Sequence, residues 1–560
     1  MIIMNYYSNA IMLIPLFGVL LYLKCRTIFY IISIIYPIFV AALLLVVHNQ
    51  EILINLYNNS FTIDLSYENK LIGFAFIMVT LSTNLYAVSK NRKFEVLIGS
   101  LYFTASLICL FAGDFLLMFM ALEVMMIFAS ILIFYGDDKN SIKAARQYFL
   151  THLISGNLIL IGISYMIGQN HSLQITSLTA LIENKDGSFI FYILILCGCL
   201  INVATPPFAG WMTNCYPSAT SSGIVYLTSF TSKVSIIIML KLFSGLEILK
   251  FFGIFMIIYG GFYACIEDNI KRLICYLTIS HIGFMLIAIG IKSQQSTLGI
   301  TAFIFVYIVY KALFTLYIAT LIDNQHIKNC SEIRGVYSFK NPILLCCLIL
   351  SLLLILCLPP FASFTTKLAV TNALDQDIDY YSIVLLKIIT CTVVFSTVKH
   401  KYLINTFNPN LGILGTISLL IMLLFTLITN IFLIQILNFL WSSYPVEMFD
   451  FHWVNIVKQA VIILVGIIFA IIFSKNISRC STANTNLDLF HLIENSINCL
   501  CLRYKNQSIH QDDGIFDNLY FVQKIETKIF SKIKSLHNQS TSLFVIIMLL
   551  LIFSILLINK

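Results

Sequence analysis

The sequence predicts an all-α, polytopic integral membrane protein of about sixteen transmembrane helices. Three observations point that way. Hydrophobic residues make up 59% of the 560 and charged residues only 11%, with a mean hydropathy of +0.92, a composition that would make a soluble domain aggregate. Apolar windows of helix length recur along most of the chain. Finally, Pro206-Pro207-Phe208-Ala209 returns as Pro359-Pro360-Phe361-Ala362, inside apolar segments that each have a lysine close at hand. Adjacent prolines interrupt the helical hydrogen-bond ladder. In a bilayer such a break persists only where it is buried in protein or lines a water-filled cavity. Broken helices in corresponding places point to a transport site.

The windows fall at roughly 9–23, 28–47, 71–89, 96–113, 115–135, 147–168, 188–205, 221–244, 250–266, 273–291, 298–321, 342–362, 380–398, 412–439, 455–474 and 543–559. Between the second and third, Gln50 to Tyr67 alternates polar and apolar residues and predicts a small extramembrane hairpin. Loops after odd-numbered spans carry Lys24, Arg26, Lys90, Arg92, Lys93, Lys139, Lys143, Arg146, Lys271, Arg272, Lys328, Arg334, Lys340, Lys399 and Lys401. Even-numbered loops or span ends hold only Lys70, Lys185, Lys241, Lys250 and Lys292, with Lys367 set apart. The positive-inside rule then puts the odd loops in the cytoplasm and the N-terminus outside, across a bacterial inner membrane. Residues 475–542 are polar; the mixed-charge stretch Gln523 to Lys534 is expected to lie along the membrane surface, and the last span anchors the chain again.

Several classes drop out. The net charge of +8 comes from basic loop residues, which topology explains without nucleic acid. The 15 cysteines sit mostly in apolar runs and act there as small hydrophobes; Cys499 and Cys501 are too isolated for a metal site. The first apolar segment has no small-residue cleavage site and is expected to stay. With no dinucleotide loop, haem motif or cysteine cluster, no cofactor, metal or catalytic residue is expected in this chain.

The ionisable residues placed within spans are Glu123, Lys233, Lys311 and Lys387, with Lys367 at the second break. A charge near the bilayer centre costs about 2.5–3.5 kcal/mol on insertion scales, so each is a functional candidate. Lys387, two turns inside its span, can also snorkel, and Lys367 can also serve as an interfacial anchor. A buried carboxylate beside an ammonium makes a switch: separating the pair drives both towards their neutral forms and moves a proton. Lysines in series then pass protons through intervening water. Asn202, His281, Tyr307 and the hydroxyls around Lys233 and Lys367 can hold that water, or simply bond helices together.

In order and spacing, these motifs form a set: Glu123 in Met120-Ala-Leu-Glu-Val-Met-Met, Lys143-Ala-Ala-Arg-Gln-Tyr-Phe149, Pro206 to Trp211, Thr231-Ser-Lys233-Val, Asp268-Asn-Ile-Lys-Arg-Leu273, Lys311-Ala-Leu-Phe314, and Leu358-Pro-Pro-Phe with Lys367. Over roughly residues 70–400 they resemble the antiporter-like membrane subunits shared by Mrp-type cation/proton antiporters, respiratory complex I and membrane-bound hydrogenases. The resemblance implies two inverted five-helix repeats, each a half-channel around a broken helix. On that basis 1–90 holds N-terminal transmembrane helices, 91–245 the first repeat and 246–402 the second. Further transmembrane helices occupy 403–475, with the surface segment and final anchor in 476–560. It also implies a proton path through residues matching Glu123, Lys233, Lys311 and Lys367, and partners that are other membrane subunits.

Two positions depart from the pattern. The family's lysine on the first broken helix falls at Asn202, and a histidine common four residues before Lys311 is Tyr307. Asn202 carries no charge. Either Glu123 works with Lys233 instead, or the first half-channel is inactive and the chain is a scaffold or an altered conduit. The leading expectation is a proton- or cation-translocating subunit of an Mrp-type Na⁺/H⁺ antiporter; the alternative is the pumping subunit of a complex I-like oxidoreductase. A self-sufficient solute transporter is a more distant rival, since lysines in series do not make a compact substrate site.

Overall fold

A computed structural model describes residues 26–47, 51–56, 59–169, 171–183, 189–325, 328–332, 342–373, 377–398, 411–440 and 453–476. They are helical apart from one hairpin and the connections. Helices α1 (Arg26–Val46), α2 (Tyr67–Ser89), α3 (Lys93–Phe111), α4 (Phe115–Phe134) and α5 (Ser141–Gly168) come first. The short α6 (Thr179–Glu183) and α7 (Phe189–Asn202) lead to the first proline break, after which come α8 (Ser221–Ser229) and α9 (Thr231–Phe243). Next are α10 (Ile248–Ile266), α11 (Ile270–Ile289), the long α12 (Gln294–Gln325) and α13 (Pro342–Ile355). Beyond the second proline break lie α14 (Ala362–Thr371), α15 (Asp377–Val398), α16 (Gly412–Ile431), α17 (Leu433–Leu440) and α18 (Trp453–Asn476).

Among the described residues, 11 helical segments are long and apolar enough to cross a membrane, with Phe189–Asn202, Pro342–Ile355 and Ile383–Val394 as shorter apolar helices. The expected spans at 9–23 and 543–559, the surface stretch Gln523 to Lys534, Cys499 and Cys501 lie outside the described residues. Two expected single spans are interrupted: residues 221–244 break at Phe230, and 412–439 divides at Phe432.

The hairpin is present. Strands β1 (Glu51–Leu56) and β2 (Asn59–Asp64) pair antiparallel, with Glu51 opposite Asp64 and Leu56 opposite Asn59. Asp114 fastens it to the bundle: one carboxylate oxygen accepts from the Thr62 N–H at 2.9 Å, the other caps α4 by accepting from Leu117 N–H at 2.7 Å. Thr220 and Asn269 cap α8 and α11 likewise, each accepting from the backbone N–H three residues on, which satisfies donors that a helix start leaves open.

The connections gather at two opposite ends of the bundle. At one end, Arg92 after α2 pairs with Asp323 of α12 at 2.8 Å and donates to Ser221 and Ser222 at the start of α8. There too Lys271 donates to the Ala219 carbonyl, and Asn269 bridges to Asn329. At the other end, Asp114 bridges to Gln174, Gly245 N–H donates to Ile289 O, and Lys241 pairs with Asp64 at 3.6 Å. Among the described residues, these loops after odd spans thus meet one another, as do those after even spans. That is the connectivity of helices running alternately up and down.

In the interior α11 packs between α10 and α12, and α12 also touches α8 and α14. Close packing of α10 on α11 depends on Gly253 and Gly283, because a Cβ on either meets the other's carbonyl oxygen at 2.5 Å; small residues bring helix backbones together in membranes.

Candidate functional site

Both proline breaks are built on one hydrogen-bond pattern. In the first, Ala204 N–H donates to Ile201 O at 3.0 Å and Thr205 N–H to Leu200 O at 3.1 Å. In the second, Cys357 N–H donates to Leu354 O at 3.1 Å and Leu358 N–H to Leu353 O at 3.2 Å. This is the Schellman ending of a helix, which needs a left-handed residue after the last turn. Ala204 (φ 62°) and Cys357 (φ 52°) fill that place, though glycine usually does. Pro206-Pro207 and Pro359-Pro360 follow two residues later, each with a cis peptide bond. The prolines stop the helix, and the αL residue satisfies its last carbonyls.

Asn202 is the last residue of α7 and is buried. Its Oδ1 lies 2.9 Å from His152 Nδ1 and 2.7 Å from Ser155 Oγ, both on α5. Glu123 of α4 joins them around a small cavity lined also by Tyr148, Gly156 and Thr231. Gly156 makes room there, because any Cβ would collide with the Glu123 carboxylate. Among the described residues Glu123 forms no ion pair, so the direct pairing with Lys233, one of the two alternatives, is not formed. Lys233 is turned to another task.

That task is the break at Phe230, where the ladder is interrupted between α8 and α9. Hydroxyls crowd this turn: Thr228 donates to Ile224 O and Ser229 to Val225 O, and such side chains compete with the backbone for helix partners. The carbonyl of Thr228 accepts from the Lys233 ammonium instead, and Ser232 Oγ takes a second bond at 3.2 Å. Lys233 is only 1% exposed. An unsatisfied carbonyl and an ammonium at this depth are each costly alone, and here they answer one another.

From Lys233 the polar interior continues into α12. The Lys233 Nζ stands 5.1 Å from the centre of the Tyr307 ring. Tyr307 stacks on His281 with centroids 5.2 Å apart, and His281 Nδ1 lies 2.8 Å from Leu277 O. Lys311, one turn beyond Tyr307 and 4% exposed, donates to Ile274 O of α11 at 3.1 Å. One turn before Tyr307, Phe303 lies under the ammonium of Lys367 at 5.3 Å, with Phe284 at 5.5 Å on another side. Lys367, on α14, is 0% exposed and has no hydrogen-bond partner among the described residues; its burial makes it no interfacial anchor. Lys387 on α15 is buried too, 6.0 Å from the Phe364 ring.

The structure therefore brings Lys233, Tyr307, His281, Lys311 and Lys367 into one interior and places Glu123 with Asn202 in the cavity beside Thr231, two residues before Lys233. Along this line His152 Nε2, His281 Nε2, Thr205 Oγ1 and the hydroxyls of Tyr310 and Ser363 are buried without a protein partner among the described residues. His152 escaped the sequence reading because a search for charges inside spans passes over a neutral imidazole. Its signal was the polar stripe Tyr148, Thr151, His152, Ser155 and Gly156 on one face of α5.

A model of the membrane domain described as "NADH:quinone oxidoreductase/Mrp antiporter, TM" matches residues 112–396, a stretch containing Glu123, both proline breaks and all the buried lysines named above. The chain belongs to this family. It is an antiporter-like integral membrane subunit of the complex I/Mrp type. Within the family it is 24% identical over 416 residues to NADH-quinone oxidoreductase subunit N of Francisella tularensis subsp. holarctica, covering 68% of this chain and 82% of that one. With the subunit N of Deinococcus radiodurans it shares 23% over 304 residues, 52% of this chain and 61% of the relative. Among solved structures the fold is similar to a chain of the membrane-bound sulfane sulfur reductase, an archaeal respiratory membrane complex, with a TM-score of 0.69 and 19% identity over 97% of this chain and 99% of that one. It is similar also to a chain of the Mrp complex from Dietzia sp. DQ12-45-1b, with a TM-score of 0.61 and 14% identity over 85% of this chain and 95% of that one.

Proposed function

We propose that this chain is a proton-translocating membrane subunit of a complex I-like respiratory assembly. The single observation that carries the reading is the line of buried lysines, Lys233, Lys311 and Lys367, held at the middle of the bundle by carbonyls and aromatic rings rather than by carboxylates. A cation buried without a counter-ion is rare unless it moves charge. Proton hops need heavy-atom separations of about 2.6–3.2 Å or a bridging water. Buried polar atoms without protein partners are where bound water sits inside proteins. In this reading such waters link Lys233 to Lys311 past Tyr307 and His281, and Lys311 onward to Lys367. The repeats at 91–245 and 246–402 are the corresponding half-channels.

Mrp membership was the leading expectation from the sequence. The relatives bearing NADH-quinone oxidoreductase names favour the respiratory alternative, so the partners proposed are the other membrane subunits of such an assembly, in a bacterial inner membrane with the odd loops cytoplasmic. The chain itself carries no redox step here; electrons run through its partners and the chain moves protons. Affinity purification of a tagged chain from native membranes tests this. Flavin- and iron–sulfur-containing subunits recovered with it support the reading. Recovery with small hydrophobic antiporter subunits alone points to the Mrp type and contradicts it.

A further inference from the structure

We infer that His152 is a proton-carrying residue of this path, receiving protons from Glu123 and passing them towards Lys233. The inference rests on the relay reading above and adds a group that the buried lysines and Glu123 do not supply.

The geometry is specific. His152 lines the same small cavity as Glu123, and among the described residues no lysine or arginine lines it. Its Nδ1 faces the Asn202 amide oxygen at 2.9 Å. An amide oxygen only accepts, so the Nδ1 position carries the hydrogen and Nε2 presents its lone pair. That Nε2 is buried and has no protein partner among the described residues. The ring is held in place by Tyr148 at 4.3 Å and Trp211 at 4.7 Å between centroids. Ser155 lies within 2.8 Å of Gly198 O and 2.7 Å of the Asn202 amide; its one hydroxyl proton serves either, so the amide can be released to turn. A turned amide presents N–H to Nδ1 and selects the other tautomer.

The cavity also points onward. The Tyr148 hydroxyl lies 3.2 Å from Thr231 Oγ1, and Thr231 opens the helix that carries Lys233. The titratable groups facing the cavity are Glu123 from α4 and Tyr148 on α5 itself. In the first step the Glu123 O–H bond breaks and an Nε2–H bond forms, leaving a carboxylate and an imidazolium. In the second the imidazolium gives up a proton by way of water and the hydroxyls to a neutral Lys233 amine, regenerating the imidazole. A histidine that merely packs requires neither a free lone pair nor an acidic neighbour.

The test uses inverted native membrane vesicles containing the whole assembly, with NADH as the donor and dye quenching as the measure of proton uptake. His152→Phe keeps the ring packing and removes both nitrogens; uptake is expected to fall about a hundredfold, the size of contribution made by acid–base groups. The exchanged pair His152→Asn with Asn202→His puts the imidazole back in the same cavity and is expected to recover most of the rate. Solid-state NMR with ¹⁵N-labelled histidine, assigned by the loss of a signal in His152→Gln, gives a readout apart from turnover. The Nε2 signal is expected to respond to the charge on its acidic neighbour, so its position is displaced in Glu123→Gln. Wild-type uptake in His152→Phe, or an Nε2 signal that Glu123→Gln leaves unmoved, overturns the inference. Should His152→Phe not assemble, the exchanged pair and the NMR comparison decide. Lys311→Met is the companion: normal uptake there contradicts the relay as a whole, whereas lost uptake there with normal uptake in His152→Phe removes only the histidine.

Discussion

Lys233 donates its ammonium to the carbonyl of Thr228, five residues back across the break at Phe230. The bond makes the lysine part of the helix architecture, beside the relay role proposed for it. In the proposed relay, a Lys233 that gives up its proton leaves the carbonyl with a weaker partner. Charge state and the shape of the break are therefore tied together.

Lys233→Met consequently has two effects. Proton uptake is expected to be lost, and the stranded Thr228 carbonyl is expected to lower stability by about 1–3 kcal/mol. Uptake in vesicles reads the first, and the thermal unfolding midpoint of the purified assembly reads the second. An unchanged midpoint with lost uptake shows that the carbonyl finds another donor and that the coupling is absent.

Gly156 bears on Glu123 by its lack of a side chain. A methyl group there pushes the Glu123 carboxylate from its place, so Gly156→Ala is expected to reduce proton uptake while the assembly forms normally. Shortening the acid relieves the collision, and the double variant with Glu123→Asp is expected to transport better than Gly156→Ala alone. A double variant no better than the single one contradicts this geometry.

The Arg92–Asp323 pair joins the loop after α2 to the far end of α12 and is partly buried, at 21% and 11% side-chain exposure. Tyr86 also donates to Asp323 at 2.7 Å. Removing one charge leaves the other half-desolvated, so Arg92→Gln and Asp323→Asn each lower the unfolding midpoint. In a double-mutant cycle the coupling is expected at about 0.5–3 kcal/mol, and zero coupling contradicts the clamp.

Ala204 sits at φ 62°, where a Cβ costs about 1–2 kcal/mol. Ala204→Gly is expected to raise the unfolding midpoint without loss of uptake. A lower midpoint shows that the Ala204 methyl packs usefully enough to outweigh its strain.

Much of this was legible in the chain because the bilayer leaves few options. The spans that fall within the described residues, the Glu51–Asp64 hairpin, the proline breaks and the lysines at 233, 311 and 367 declared themselves through hydropathy, alternation or a charge out of place. What stayed hidden depended on three-dimensional pairing. The break at Phe230 is set by hydroxyls competing for carbonyls within an otherwise apolar helix, and Thr228 and Ser232 carry no periodic signal. Glu123 and Lys233 looked like partners once Asn202 was uncharged. Only the packing of α5 against α7 shows that His152 stands beside Asn202 and that Lys233 is already committed to its own backbone. Lys367 looked like a candidate anchor beside a break, and the aromatic rings of Phe284 and Phe303 that enclose it come from two distant helices.

The most direct measurement is NADH-driven proton uptake by inverted membrane vesicles in which Lys311→Met and Lys367→Met are introduced one at a time, with abundance of the assembly checked in the same membranes. A relay through the interior predicts that uptake is lost in each while the assembly stays at wild-type abundance. Wild-type uptake in both variants contradicts the account.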